Sequence, residues 1–179
     1  MNDLPDNRPD LELVAAANRG ERQAFETLYY RYRDWVYSLA LRFCGDPHDA
    51  CDVIQDTFFY FFNKFPGFEL RSQIKTFLYP VTKHRALDRS MKRARTAPLG
   101  GEAEQLAAPP HRDPAAERQR LADLVRSLPE PQREVVLLRF ADGLALREIA
   151  EALTIPVGTV KSRLHQALSA LRSRLSRDG

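Results

Sequence analysis

The sequence predicts an all-α protein: two small helical domains joined by a flexible linker, the C-terminal one a helix-turn-helix. Three observations predict it. Apolar residues recur at i, i+3, i+4 spacing in blocks bounded by glycine and proline. Strand-like alternation of useful length occurs nowhere. One stretch, residues 96–116, gathers Pro98, Gly100, Gly101, Pro109, Pro110 and Pro114 among small and polar residues, a composition that builds no packed core. The expected organisation is therefore a helical domain over residues 9–95, a linker over 96–116 and a second helical domain over 117–176.

The first helix is read over residues 10–18, with Asn18-Arg19-Gly20 as its C-terminal stop. A longer helix over 22–44 places Phe25, Leu28, Tyr29, Tyr32, Val36, Leu39, Ala40 and Phe43 on one face. Trp35 is read as core. Gly45-Asp46-Pro47 breaks that helix, and a third runs over 48–65 until Pro66-Gly67. On the third helix Ala50, Val53, Ile54, Thr57, Phe58 and Phe61 share one face, while Asp49, Asp52 and Asp56 share the opposite one. A fourth helix over 72–95 carries Ile74, Phe77, Leu78, Val81 and Leu87 as its apolar positions, and Pro80 is expected to kink it or end a turn.

In the second domain the strongest signal is Leu146-Arg-Glu-Ile-Ala-Glu-Ala-Leu153, then Thr154-Ile155-Pro156, then Val157-Gly-Thr-Val-Lys-Ser-Arg-Leu-His-Gln-Ala-Leu168. Ile149, Ala150 and Leu153 form the buried stripe of one helix; Val160, Leu164, Ala167, Leu168, Leu171 and Leu175 form that of the next. Thr159, Ser162, Arg163 and Gln166 point the other way. Two short helices about a tight turn, the second exposing donors near its start, suit a DNA major groove. The same pattern also fits an ordinary helical hairpin with a solvated face.

The chain has 179 residues and a net charge of +3, which says little about partners. The charge distribution says more. Residues 71–95 hold eight Lys or Arg and one acid, Asp88, whereas residues 46–58 hold four Asp and no Lys or Arg. Such a split predicts two faces with different partners. Acids in the first helical turn favour the dipole, which accounts for Asp49 and Asp52 structurally; Asp56 lies too deep for that. The stripe is either a solvated face that repels itself slightly or a docking surface for a basic partner helix, with Gln55 and Phe59 at its border. The aromatic run from Phe58 to Phe68 exceeds what one helix face can bury: any single ring is read first as core, and those left over, with Phe65 and Phe68 at the proline-glycine break, as a surface to stack on unpaired bases. The basic helix, with Lys75, Lys83, Arg85, Arg89, Lys92, Arg93 and Arg95, fits a single-strand or phosphate-binding surface; its apolar face is too small for a membrane-surface helix.

Four segments resemble one family in order along nearly the whole chain. They are Ala24-Phe-Glu-Thr-Leu-Tyr-Tyr-Arg-Tyr, Asp49-Ala-Cys-Asp-Val-Ile-Gln-Asp-Thr-Phe58, the stretch from Ile74 to Arg89, and Leu128-Pro-Glu-Pro-Gln-Arg-Glu-Val-Val-Leu-Leu-Arg-Phe140 with the helix-turn-helix behind it. The chain is similar in these to the extracytoplasmic-function (ECF) sigma factors of bacterial RNA polymerase, the two-domain branch of the sigma-70 family. The resemblance implies a transcription initiation factor that directs core polymerase to promoters by reading −35 and −10 elements and helping to melt the −10 DNA. It implies that Asp49, Asp52, Gln55, Asp56 and Phe59 contact the polymerase clamp helices, with the flap as a further contact. The loop over residues 64–73, with Phe65, Phe68 and Arg71, would capture a base flipped from the −10 element. Lys75, Lys83, Arg85 and Arg89 would hold −10 phosphate and duplex, and Thr159, Lys161, Ser162, Arg163 and Gln166 would meet the −35 element. The linker, mildly acidic through Glu102, Glu104 and Asp113, would thread through polymerase near the RNA path. An anti-sigma partner is expected by the same resemblance. Three departures stand out: Phe77 where the family usually has Trp, Pro80 inside the −10 helix, and Cys51 where the family usually has an acid.

The remaining residues point to little chemistry. Cys44, His48 and Cys51 make C-x3-H-x2-C, readable as ordinary thiols, a redox pair or three ligands lacking the fourth that a structural zinc site wants. His84 could touch phosphate or be a partly exposed structural histidine. No Ser-His-Asp, phosphate loop or paired-carboxylate arrangement is legible, so no enzyme, metal or cofactor is expected. No signal peptide and no apolar run of membrane-spanning length is seen, and a cytoplasmic protein is expected. Two other functional classes stay open: a conventional helix-turn-helix regulator whose first domain senses or dimerises, and a protein that binds polymerase but starts no transcription.

Overall fold

In the computed structural model the described residues are 6–96 and 114–176, and all their regular structure is helical. The chain divides between Pro98 and Leu99 into two compact units. The expected linker lies almost wholly outside the described residues.

The first unit holds α1 (Asp10–Asn18), α2 (Arg22–Cys44), α3 (Pro47–Phe62) and α4 (Ile74–Thr96). α2 is the central helix and packs on the other three, and α3 also packs on α4. The i, i+3, i+4 faces read from the sequence supply the core: Leu13, Val14, Leu28, Val36, Phe61, Ile74 and Leu78 are fully or almost fully buried in one cluster. Cys44, Ala50, Val53 and Ala86 close the far end of the α2–α3–α4 sandwich. Gly45 ends α2 in the left-handed region, at φ +69°. Asp46 then caps α3, its carboxylate accepting from the backbone N–H groups of His48 (2.9 Å) and Asp49 (3.0 Å), with Pro47 in the first turn.

The segment before α1 is tied down by charge. The Arg31 guanidinium donates to the backbone carbonyls of Asp6 (2.8 Å) and Arg8 (2.9 Å) and pairs with Asp10 at 2.7 Å. Arg8 bridges Asp6 (2.7 Å) and Glu21 (2.6 Å). The Arg8 bonds pull the Asp6 carboxyl down to about 2 and hold Glu21 below its usual range. Burial, reinforced by its bond to Asp10, pushes the Tyr32 hydroxyl up.

Three expectations need correction in this unit. α3 ends at Phe62 rather than residue 65, because the chain turns at Asn63 and Lys64 to fold Phe65 back onto the core. α4 runs unbroken through Pro80, which faces solvent; buried Leu78, Tyr79, Thr82 and Ala86 on either side hold the helix against the loss of one backbone bond. Leu87 is exposed rather than core.

The second unit holds α5 (Pro114–Arg126), α6 (Glu130–Val136), α7 (Leu146–Leu153) and α8 (Val157–Leu175). α6 continues into a π-helical turn, Leu137–Ala141, which no sequence pattern announced. Gly143, at φ +77°, reverses the chain after it. Leu138, Leu144, Ile149, Val160 and Ala167 are fully buried between α6, α7 and α8. At the start of α7, Glu148 accepts from the Ala145 backbone N–H at 2.7 Å. α7 ends on Thr154 in the left-handed region, at φ 54°, with Ile155 N–H bonded to the Ala150 carbonyl at 3.0 Å. Pro156 then accepts from Thr159 and Val160 and opens α8. Leu175, read as part of the buried stripe of α8, is exposed at its end.

Candidate polymerase and nucleic-acid interfaces

The acidic face of α3 meets the basic face of α4. Arg89 Nη1 lies 2.5 Å from Asp52 Oδ2, and its Nη2 lies 3.3 Å from Asp56 Oδ2. Arg85 stands 3.9 Å from the same Asp56 oxygen. One turn further along α4, Arg93 reaches Asp46 (2.9 Å) and Asp49 (3.1 Å), and donates to the Cys44 carbonyl. The self-repelling stripe expected from the sequence is thus offset by three arginines of another helix, Arg85, Arg89 and Arg93. Burial opposes the charge on Arg89, but the bonds to Asp56 and Asp52 outweigh it and raise its pKa. On the same helix Gln55 is exposed, and Phe59 is 72% exposed, far more than an aromatic in a settled core.

Several other cations of this unit lie over rings. Lys75 Nζ is 5.5 Å from the Trp35 ring centroid, Lys83 Nζ is 5.4 Å from that of Phe43, and Lys64 Nζ is 4.4 Å from that of Tyr60. Arg85 also leans on Tyr60 at 5.8 Å. Tyr60 stacks on Phe77, with centroids 6.1 Å apart and planes 14° from parallel. These contacts draw the ammonium and guanidinium heads onto a partly aromatic surface.

Phe65 and Phe68 are half-buried and edge-packed, each about 5 Å from Phe61, with Phe68 also against Phe77. Most of each ring belongs to the core, so what the loop offers outward is chiefly backbone, Lys64, and Arg71 paired with Glu69 at 3.0 Å. The backbone of that loop is gripped from α1. The Asn18 carbonyl oxygen accepts from Gly67 N–H (2.7 Å) and Phe68 N–H (3.1 Å), and its amide donates to the Phe68 carbonyl (2.9 Å).

In the second unit, the outer face of α8 presents Lys161, Ser162 and Gln166 to solvent, with Thr159 and Arg163 half-exposed beside them. Gln132 of α6 donates to Gln166 at 3.2 Å and so joins this face, a residue that no sequence pattern selects. Cys44 is buried and donates to the Asp46 carbonyl, Cys51 and His48 are exposed, and no group of three potential ligands assembles among the described residues. No described helix is long and apolar enough to cross a membrane.

Comparison with known proteins was decisive. The Sigma-70 region 2 family matches residues 28–96, and the Sigma-70 region 4 family matches residues 118–171. The chain is 30% identical over 176 residues to the ECF RNA polymerase sigma factor SigW of Bacillus subtilis, covering 90% of this chain and 94% of that one. The chain belongs to the ECF sigma factors of RNA polymerase. This sigma factor is also 30% identical over 180 residues to the RNA polymerase sigma-H factor of Pseudomonas aeruginosa, covering 93% of each. Its fold matches the sigma factor RpoE of Bartonella quintana, solved with the anti-sigma factor NepR, at a TM-score of 0.64 and 24% identity over 87% of this chain and 98% of that one. Region 2 of this sigma factor begins within α2 and takes in α3 and α4; region 4 takes in the helix-turn-helix of α7 and α8. It is a transcription initiation factor.

Proposed function

We propose that this sigma factor docks on the clamp helices of core polymerase through Asp49, Asp52, Gln55, Asp56 and Phe59. In this reading its −10 surface is the loop over residues 64–73, with Phe65, Phe68 and Arg71, continued by Lys75, Lys83, Arg85 and Arg89 on α4. Its −35 surface is Thr159, Lys161, Ser162, Arg163 and Gln166 on α8. The observation that carries the reading is the ridge of α3, where a largely exposed Phe59 stands beside Gln55 and a row of carboxylates. An exposed aromatic flanked by acids is the complement of a basic helix with an apolar patch. The protein has no catalysis of its own and confers promoter choice on the polymerase. Residues 9–95 and 117–176 act as its two domains, with 96–116 between them and the flap meeting the second. An anti-sigma protein holds it in check, as NepR is found with RpoE, and it works in the cytoplasm.

The test is run-off transcription with bacterial core polymerase on a library of promoter fragments. Discrete transcripts that require the protein support the reading. Reversing Asp52 and Asp56 together to Lys should abolish polymerase binding with the helical content intact; unchanged binding removes the docking assignment.

A further inference from the structure

Asn18 closes α1, and its side chain spends its amide on one short stretch of backbone some fifty residues downstream. Both ends of the amide are used: the oxygen accepts twice, from Gly67 and Phe68, and the nitrogen donates back to Phe68. The donor platform is rigid, since Leu13, Val14, Ala16 and Ala17 bury α1 against the core. The loop it grips needs such a hold. Gly67 sits at φ +107°, a conformation that side-chain packing cannot enforce because the residue has no side chain. Besides Asn18, the side chains of Phe65, Phe68 and Leu70 attach this loop to the core. Rings fix where the loop sits; they do not fix which way its peptide groups face.

We infer that Asn18 is a positioning residue for promoter opening, holding the Pro66-Gly67-Phe68 backbone in the shape that receives an unpaired base. The inference rests on the reading that this loop captures a flipped −10 base. Extruding a base from the stack is costly, and a loop ordered only at that moment would add its own conformational entropy to the barrier. A loop already clamped by three hydrogen bonds adds little. Asn18 touches no DNA in this scheme and acts through the loop.

The experiment uses the full-length sigma factor in holoenzyme, on a promoter fragment selected by the wild-type protein, with 2-aminopurine placed in turn at each −10 position to report strand opening. Asn18→Ala removes all three bonds and should slow opening about tenfold or more, with core binding and duplex −35 binding unchanged. Asn18→Asp keeps both acceptor bonds and should recover most of the rate. Asn18→Gln keeps the amide but shifts it by one methylene; with the fold intact it should also open slowly. Opening at the wild-type rate in the Ala and Gln variants overturns the inference. So does a loss in Asn18→Ala matched by equal losses in core binding, since that marks a merely structural role. A loop variant, Glu69→Ala with Arg71→Ala, separates the two claims. If it opens slowly while the Asn18 variants open normally, the positioning role falls and base capture stands. If all open normally, the base-capture reading falls and takes the inference with it.

Discussion

Removing Asp52 and Arg89 singly and together would measure the ion pair that joins α3 to α4. The contact is close, 2.5 Å, with the acid side chain 51% exposed and the arginine 34% exposed. Coulomb attraction between charges about 4 Å apart runs from about 1 kcal/mol in water to about 4 kcal/mol at the effective dielectric of a protein surface. Desolvation and the ordering of two long side chains consume most of that, and exposed pairs return roughly 0.2–1 kcal/mol. Arg89 is held at its other nitrogen by Asp56, which lowers the ordering cost charged to Asp52. The coupling energy from a cycle of Asp52→Ala, Arg89→Ala and the double variant should therefore lie at the upper end, about 1 kcal/mol at low salt. For a domain of this size, that corresponds to a shift in thermal midpoint of roughly 4–8 °C. Trp35 is the only tryptophan and lies in α2, so its fluorescence reports the unfolding of this unit alone. Repeating the cycle in 1 M salt, where the Debye length is about 3 Å, should cut the coupling by half or more. Additivity within about 0.3 kcal/mol at low salt would refute the pairing, and a coupling indifferent to salt would refute its electrostatic origin.

Other predictions concern the backbone and pH. Thr154 holds a left-handed conformation that a β-branched residue tolerates poorly, so Thr154→Asn should stabilise the second unit by about 0.5–1 kcal/mol. Gly143→Ala, at φ +77°, should destabilise it by about 1 kcal/mol or more, and paired thermal melts that fail to show opposite signs would contradict the backbone argument. Asp6, Glu21 and Asp46 all have folded pKa values below their ordinary ones, the first two through Arg8, the third through the Asp49 backbone N–H. Their contribution is complete above the unfolded carboxylate pKa of about 4 and is lost as pH falls through their lowered folded values, which for Asp6 is about 2. Arg8→Ala should flatten that acid limb in urea titrations; an unchanged limb would sink the assignment. Tyr32 works in the other direction: its raised pKa stabilises the fold fully below about pH 10 and less as pH climbs beyond.

Much of this architecture was legible because helical periodicity is local. α1 and α2 have the bounds read from Gly20 and Gly45, and α7 and α8 fall on either side of Thr154-Ile155-Pro156 as the spacing required. What escaped reading was settled by contacts between distant residues. Pro80 fails to end α4 because buried neighbours on both flanks outweigh one missing bond. Whether Phe65 and Phe68 pack in the core or stand free to stack is decided by the loop, which folds both onto Phe61. The acidic stripe looked unpaired because its arginines lie on another helix, and the Asn18 grip spans 49 and 50 residues with only single-residue signals at either end. The π-helical turn at Leu137–Ala141 left no pattern in the residues at all.

The α3–α4 pairing also changes how binding should depend on salt. A basic helix is usually scored by counting its cations, each expected to displace one condensed counterion from a phosphate, with a slope of about −0.9 per contact on a log–log plot. On α4 that count overstates the yield. Arg85, Arg89 and Arg93 already face carboxylates, so moving one to a phosphate exchanges an internal anion for an external one. The carboxylate left behind then draws a sodium or potassium ion from solution, cancelling part of the ion release that drives association. Titrated against DNA, this helix should look less basic than its composition suggests.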